Sequence, residues 1–96
     1  MIWINPQKVD NLKSTFPSIN IFKDENSVSV EIEKERLIEL LKFIKEEPEY
    51  SFKMFIDFTV VDYPFHKPRF QGVYILYSPD YNERIIVKTW TDESLP

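Results

Sequence analysis

Two aspartates and the single histidine of this chain lie close together in the stretch DFTVVDYPFHKPRF, residues 57–70. Carboxylate and imidazole side chains are among the groups that most often move protons in enzymes. Asp57, Asp62 and His66 therefore raise the hypothesis of a small hydrolase or isomerase in which they act as acid and base.

The spacing of these residues argues against that hypothesis. Asp57 and Asp62 are five positions apart, so a continuous strand would point them to opposite faces. An aspartate at a strand end more often accepts hydrogen bonds from nearby backbone N–H groups. His66 has neither a nearby serine or cysteine nucleophile nor a second histidine at ligand spacing. The sole glycine, Gly72, lies inside a predicted strand rather than in a phosphate loop. We therefore predict no catalytic, cofactor-binding or metal-binding residue.

The same stretch has the composition of a protein-binding loop. Its two prolines stiffen the chain and lower the entropy lost on docking. Arg69 lies among aromatic residues, a combination that is common in interface hot spots. An ordinary surface loop is the alternative. The predicted interface comprises Tyr63, Pro64, Phe65, Arg69, Phe70, Tyr77 and Trp90.

Two helices are predicted to support this region. In INPQKVDNLKSTFP, Asn5 is a good N-cap, Pro6 suits the first helical position and Pro17 ends the run. In EKERLIELLKFIKEEP, leucine and isoleucine recur at i, i+3, i+4 and i+7, which indicates one apolar face. Pro48 ends this second helix.

Five strands complete the predicted fold. SINIFKDENSVSVEIE indicates a hairpin, and three longer strands span Phe52–Asp62, Arg69–Ser78 and Glu83–Thr91. The order α-β-β-α-β-β-β over residues 1–96 favours a single α+β domain. We predict a two-layer sandwich in which the helices cover one face of a mixed five-stranded sheet.

The second face of this sheet carries more apolar residues than a solvated face needs. We expect Phe52, Met54, Ile56, Phe58 and Val60 to face the helices, yet the last two strands are apolar on both sides. Large exposed apolar patches usually mark interaction sites. Either a partner covers this face, or the loops and the N-terminal MIW fold over it.

The composition excludes several classes of function. A net charge of −4, with acids and bases interspersed, argues against a nucleic-acid partner. The absence of cysteine excludes cysteine-ligated iron–sulfur clusters in this chain. No apolar run approaches the roughly 20 residues of a membrane span, and the start MIWINPQK lacks the features of a signal peptide. We expect a soluble domain that self-associates in isolation through its apolar face.

The segment DFTVVDYP…RFQGVYILYSPDYNERIIVK resembles the C subunit of NADH–quinone oxidoreductase, the thirty-kilodalton subunit of respiratory complex I. Spacing and order match the family's pattern across roughly residues 50–90, and Gln71-Gly72 and Ile86 depart from it. The family's Ala-Asn-Trp and later His-Pro segments are absent, so the resemblance is to the N-terminal domain of a longer protein. The matching residues are Asp57, Thr59, Val61, Asp62, Tyr63, Pro64, Arg69, Phe70, Val73, Tyr74, Asn82 and Arg84.

The resemblance implies a structural role without catalysis. The C subunit of the family holds no cofactor, packs against the D subunit and lies near the B and I subunits. Electron transfer from NADH to quinone, coupled to proton translocation, would belong to the whole complex. The chain would then be peripheral, on the cytoplasmic side of the inner membrane or the matrix side in an organelle. A stand-alone interaction adaptor is the other non-catalytic hypothesis.

Overall fold

A computed structural model describes residues 2–92. The helices are α1, Pro6–Thr15, and α2, Leu37–Glu46, and a 3₁₀ turn, Lys34–Arg36, leads into α2. Neither helix has the length and hydropathy that crossing a bilayer needs. The strands are β1 (Ile2–Trp3), β2 (Asn20–Lys23), β3 (Val28–Glu31), β4 (Met54–Asp62), β5 (Phe70–Ser78) and β6 (Glu83–Thr91).

The strands form one mixed sheet in the spatial order β2-β3-β6-β5-β4, with β1 beside the start of β6. β1 and β3 run parallel to β6, and the remaining pairs are antiparallel. The predicted fold class is confirmed. The sheet of the described chain has six strands rather than five, because the two-residue β1 is too short to leave a periodic pattern in the sequence.

α1 begins where its sequence predicts, whereas the segment predicted as the second helix starts with the 3₁₀ turn and becomes α-helical at Leu37. The Asn5 side chain accepts a hydrogen bond from Gln7 N at 2.8 Å, and Pro6 occupies the first helical position. Such a cap satisfies one of the backbone N–H groups that a helix start leaves free. The buried residues of α1 are Val9 and Leu12, and those of α2 are Leu37, Leu40 and Ile44.

The core lies between the helices and one face of the sheet. Tyr74 and Leu76 of β5 and Ile85 and Val87 of β6 point into it and are buried. Fully burying an apolar side chain of this size contributes about 1.5–3 kcal/mol. The sheet face turned away from the helices is called the open face below.

A β-bulge in β4 overturns one sequence prediction. The register with β5 shifts between Phe55 and Asp57, so the alternation of faces changes at Ile56. Phe55 and Phe58 consequently lie on the same side, and both rings contact Tyr74, with centroids at 6.3 and 4.7 Å. The prediction that Met54 and Ile56 share the helix side with Phe58 is therefore wrong, since simple alternation does not anticipate an extra residue.

A buried ionic contact joins α1 to the start of β6. Glu83 is 5 % exposed, and its carboxylate accepts hydrogen bonds from Lys8 Nζ at 2.8 Å and from Asn5 N at 3.1 Å. Lys8 Nζ also lies 3.4 Å from the centroid of the Tyr81 ring. This cluster fixes the N-terminal helix against the last strand.

Candidate docking face and its ordered loop

The segment 63–69, called the β4–β5 loop, is closed at its base by charge and backbone contacts. Arg69 donates to both carboxylate oxygens of Asp62, at 2.7 and 2.9 Å. Tyr63 N donates to Arg69 O, and His66 N donates to Tyr63 O, both at 2.9 Å. A paired Arg–carboxylate contact fixes geometry as well as energy. The loop therefore has a defined shape.

Aromatic stacking presses this loop onto the open face. The His66 ring stacks on Trp90 of β6, with centroids 4.3 Å apart and planes 19° apart, and Tyr63 lies 5.3 Å from the same indole. Trp90 is held in turn, because its Nε1–H donates to Glu31 at 3.0 Å. Arg69 N donates to Asp92 at 2.9 Å. The β4–β5 loop thus covers one end of the open face.

At the opposite end of the open face lies Trp3, half-buried, with the Arg84 guanidinium 5.2 Å from its ring centroid. The alternative in which loops fold over this face therefore occurs in part, at the end that the β4–β5 loop covers. Ile2 and Trp3 extend the sheet beside β6 instead, and Met1 lies outside the described residues. Between the two ends the strands show half-buried apolar side chains, namely Val73, Ile75, Tyr77 and Ile86.

The tip of the loop is apolar and exposed. Phe65 is 104 % exposed, Tyr63 is 41 % exposed, and Pro64 lies between them. Arg69 lowers the pKa of Asp62 by donating hydrogen bonds to its carboxylate. The same contact raises the pKa of Arg69. The pair stays ionised at neutral pH and presents the aromatic tip on a rigid base.

The residues that suggested acid–base chemistry do not form a shared site. Asp57 pairs in register with Ile75 and Asp62 with Phe70, which places them on opposite faces as the odd spacing predicts. The Asp57 carboxylate accepts from Phe58 N at 2.8 Å, Asp62 pairs with Arg69, and His66 Nδ1 contacts Pro68 O at 2.5 Å. Within residues 2–92 no group of three or more acidic or histidine side chains could hold a metal ion.

The predicted interface residues do not form one patch. The Tyr63 ring lies beside Trp90, Pro64 and Phe65 follow it in the loop, and the Arg69 guanidinium lies 5.2 Å from the centroid of the Phe70 ring. Tyr77 lies at the far end of β5, where its hydroxyl donates to Asn82 at 2.7 Å. Seven strand positions separate it from Phe70, a distance of roughly 23 Å.

Sequence reasoning missed two features. The first is a groove of about 400 Å³ on the open face, beside the β4–β5 loop. Its members come from distant segments, so no local motif indicates it. The groove is lined by Phe22, Glu31, Tyr63, His66, Gln71, Lys88 and Trp90.

The second missed feature is the exposed edge strand β4. This strand lies at one end of the sheet, and four of its apolar side chains are 43–58 % exposed, whereas Phe58 packs against the core. An uncovered edge strand can pair with another chain. The bulge at Ile56 and the carboxylate that binds Phe58 N interrupt its regular edge. The exposed residues are Met54, Phe55, Ile56 and Val60.

Residues 30–96 match the sequence profile of a family described as the respiratory-chain NADH dehydrogenase, 30 Kd subunit. Over its full length the chain is 49 % identical to the NADH-quinone oxidoreductase C/D subunit of Sulfurihydrogenibium sp. and 42 % identical to the C/D 2 subunit of Aquifex aeolicus. It spans about a sixth of these relatives, 17 % and 16 % of their lengths. The NADH-quinone oxidoreductase C subunit of Chelativorans sp. is 38 % identical over 74 % of this chain and 36 % of its own length.

The fold is also found in a solved structure of another respiratory protein complex. A chain of the membrane-bound sulfane sulfur reductase, an archaeal respiratory membrane complex, superposes with a TM-score of 0.70. The match covers 88 % of this chain and 48 % of the other, at 21 % identity. It shows a common architecture for the sheet and its two helices.

Proposed function

The chain belongs to the family of the 30 Kd subunit of respiratory-chain NADH dehydrogenase, and from this we propose that it is a structural subunit of a complex I-type NADH–quinone oxidoreductase. Its own residues take no part in chemistry. The assembled complex passes electrons from NADH to quinone and couples this to proton translocation. Residues 1–96 form the N-terminal domain of a longer protein that resembles the C subunit.

The observation that carries this proposal is the β4–β5 loop. Its base is fixed by the paired contact of Asp62 with Arg69 and by the stack on Trp90, while Phe65 projects fully into solvent. A rigid loop loses little entropy on binding, and exposed aromatic side chains are frequent anchors of interfaces. This combination fits docking better than it fits catalysis.

The D subunit is the first partner in this proposal, because the C/D names of two similar relatives link the C and D subunits in those proteins. The B and I subunits are further neighbours. The chain then sits peripherally at the membrane through the complex, on the cytoplasmic side or, in an organelle, the matrix side. The docking residues are Tyr63, Pro64, Phe65, Arg69, Phe70, Tyr77 and Trp90.

The test is assembly. The chain is co-expressed with the other hydrophilic-arm subunits of its organism, as parent and as the double variant Tyr63→Ala/Phe65→Ala. We expect the double variant to fold, by circular dichroism, and to recover at least about tenfold less assembled arm. Ile38→Ala is the matched control, because this isoleucine is 71 % exposed on the helix layer.

Two outcomes would contradict the proposal. Normal recovery of the arm with the double variant would show that the loop is not the docking element. A parent chain that co-purifies with none of the other subunits would favour a stand-alone adaptor. Acid–base catalysis, in turn, would require hydrolase activity that is lost in Asp62→Asn and His66→Ala.

A further inference from the structure

Gln71 is a buried polar side chain that nothing within residues 2–92 engages. It lies on β5 between Val61 and Trp90 of the neighbouring strands and is 6 % exposed. Its amide makes no hydrogen bond to the part of the chain that the structure describes, and it is not fully enclosed as Ser78 Oγ is, so it reaches the surface of the groove. An amide that is open to the groove and has no protein partner can form hydrogen bonds with a ligand that enters there.

The groove around Gln71 offers aromatic walls and a cation. Its volume of about 400 Å³ lies within the range of ligand sites. Glu31 accepts a hydrogen bond from the Trp90 indole through one carboxylate oxygen, and in register it is the partner of Lys88. Lys88 makes no hydrogen bond or close ion pair within residues 2–92, although its charge acts on Asp24. The rings are those of Phe22, Tyr63, His66 and Trp90.

We propose that this groove binds an extended peptide segment of the partner that docks on the open face, an inference that rests on the proposed function. A primary amide offers donors and an acceptor, the complement of a main-chain peptide group. Extended segments leave those main-chain groups free, whereas a helix uses them internally. Gln71 therefore pairs with the peptide backbone.

The residues that line the groove indicate which side chains the bound peptide carries. An apolar residue, with proline favoured, packs between the aromatic rings, as in other aromatic-lined grooves that bind extended peptides. An acidic residue beside it pairs with Lys88. The preferred ligand is thus a short extended motif that combines an apolar and an acidic side chain.

The test uses a phage-displayed library of random peptides of about 12 residues, selected on the parent chain and depleted on Gln71→Leu. A recovered peptide is synthesised and titrated against the ¹⁵N-labelled chain by NMR. Trp90 and Trp3 give separate indole N–H signals, so the chain carries its own control at the far end of the open face.

We expect the Trp90 signal to shift in a saturable way while Trp3 stays fixed. Gln71→Leu should weaken the peptide at least about tenfold, and Lys88→Met several-fold. Thr59→Val, an exposed change on the same face, should leave the affinity unchanged. Circular dichroism verifies that each variant is folded.

Selection of no peptide, equal affinity for parent and Gln71→Leu, or a motif with helical i, i+3, i+4 spacing would overturn this inference. Those results are separable from failure of the proposed function. If the chain assembles through its loop but selects no Gln71-dependent peptide, only the proposal for the groove is refuted. If the chain selects such a peptide but joins no other part of the oxidoreductase, the groove still binds a peptide and the proposed function is refuted.

Discussion

Replacing Glu83 by glutamine tests whether the buried ionic contact holds α1 to β6. The variant keeps the size of the side chain but turns one of its acceptors into an NH₂ group. That group must then face either Lys8 Nζ or Asn5 N, both of which are donors. The Lys8 ammonium also loses its anion.

The expected cost is large for so small a change. Removing one partner of a buried ion pair typically costs about 3–5 kcal/mol. The Lys8 side chain is 21 % exposed and that of Glu83 6 %, so water screens the charge that is left behind. We therefore expect Glu83→Gln to lower the free energy of unfolding by about 2–4 kcal/mol, measured by urea denaturation followed by circular dichroism.

A matched pair and a double-mutant cycle make the result decisive. Asp10 and Lys23 also lie 2.8 Å apart, but their side chains are 57 % and 39 % exposed, so Asp10→Asn should cost under about 1 kcal/mol. Lys8→Met combined with Glu83→Gln should cost at least about 1 kcal/mol less than the sum of the single changes. Additive costs, or a Glu83→Gln cost no larger than that of Asp10→Asn, would refute this reasoning.

Three further predictions concern pH and association. Burial raises the pKa of Tyr50 from 10.0 to about 12. The stability that the protonated phenol contributes is therefore fully present below pH 10 and is lost as the pH rises towards 12. The free energy of unfolding of the parent should fall over that pH range by roughly 2–3 kcal/mol. Tyr50→Phe, which loses its hydrogen bond to Lys8 O, should show a flatter dependence on pH. Identical alkaline profiles of the two proteins would contradict the assignment to Tyr50. The hydrogen bond from Arg69 lowers the pKa of Asp62 below 3.8. The order of the β4–β5 loop should therefore persist above pH 3.8 and be lost below it, as a change in Trp fluorescence. Asp62→Asn should abolish this change at low pH. Ile56→Lys should reduce self-association of the isolated chain in sedimentation velocity, and an unchanged distribution would exclude the β4 edge as the cause.

What the sequence predicted correctly is local. Asn5 caps α1 and Pro6 starts it because these effects depend on a few neighbouring residues. The prediction that the last two strands are apolar on both sides is likewise correct, since buried and half-buried residues alternate along β5 and β6. The opposite faces of Asp57 and Asp62 followed from strand geometry alone.

What the sequence left hidden depends on distant contacts. The bulge at Ile56 arises from pairing with β5, and alternation alone placed Phe55 on the wrong face. The groove joins Phe22 to Gln71 and Trp90, which lie far apart in the chain and meet only when the sheet forms. Two further groove residues, Tyr63 and His66, belong to the β4–β5 loop, and periodicity does not place loops.

The position of β6 has a consequence for how the protein is made. The ribosome releases this strand after the other five, yet β1, β3 and β5 all pair with it. The N-terminal strands β1 and β3 therefore cannot complete their pairing until β6, which ends at Thr91, has been translated. Strand pairs between such distant segments slow folding. A chain that ends before Glu83 would leave one edge of β3 and one edge of β5 unpaired, and unpaired strand edges make incompletely folded chains prone to aggregation.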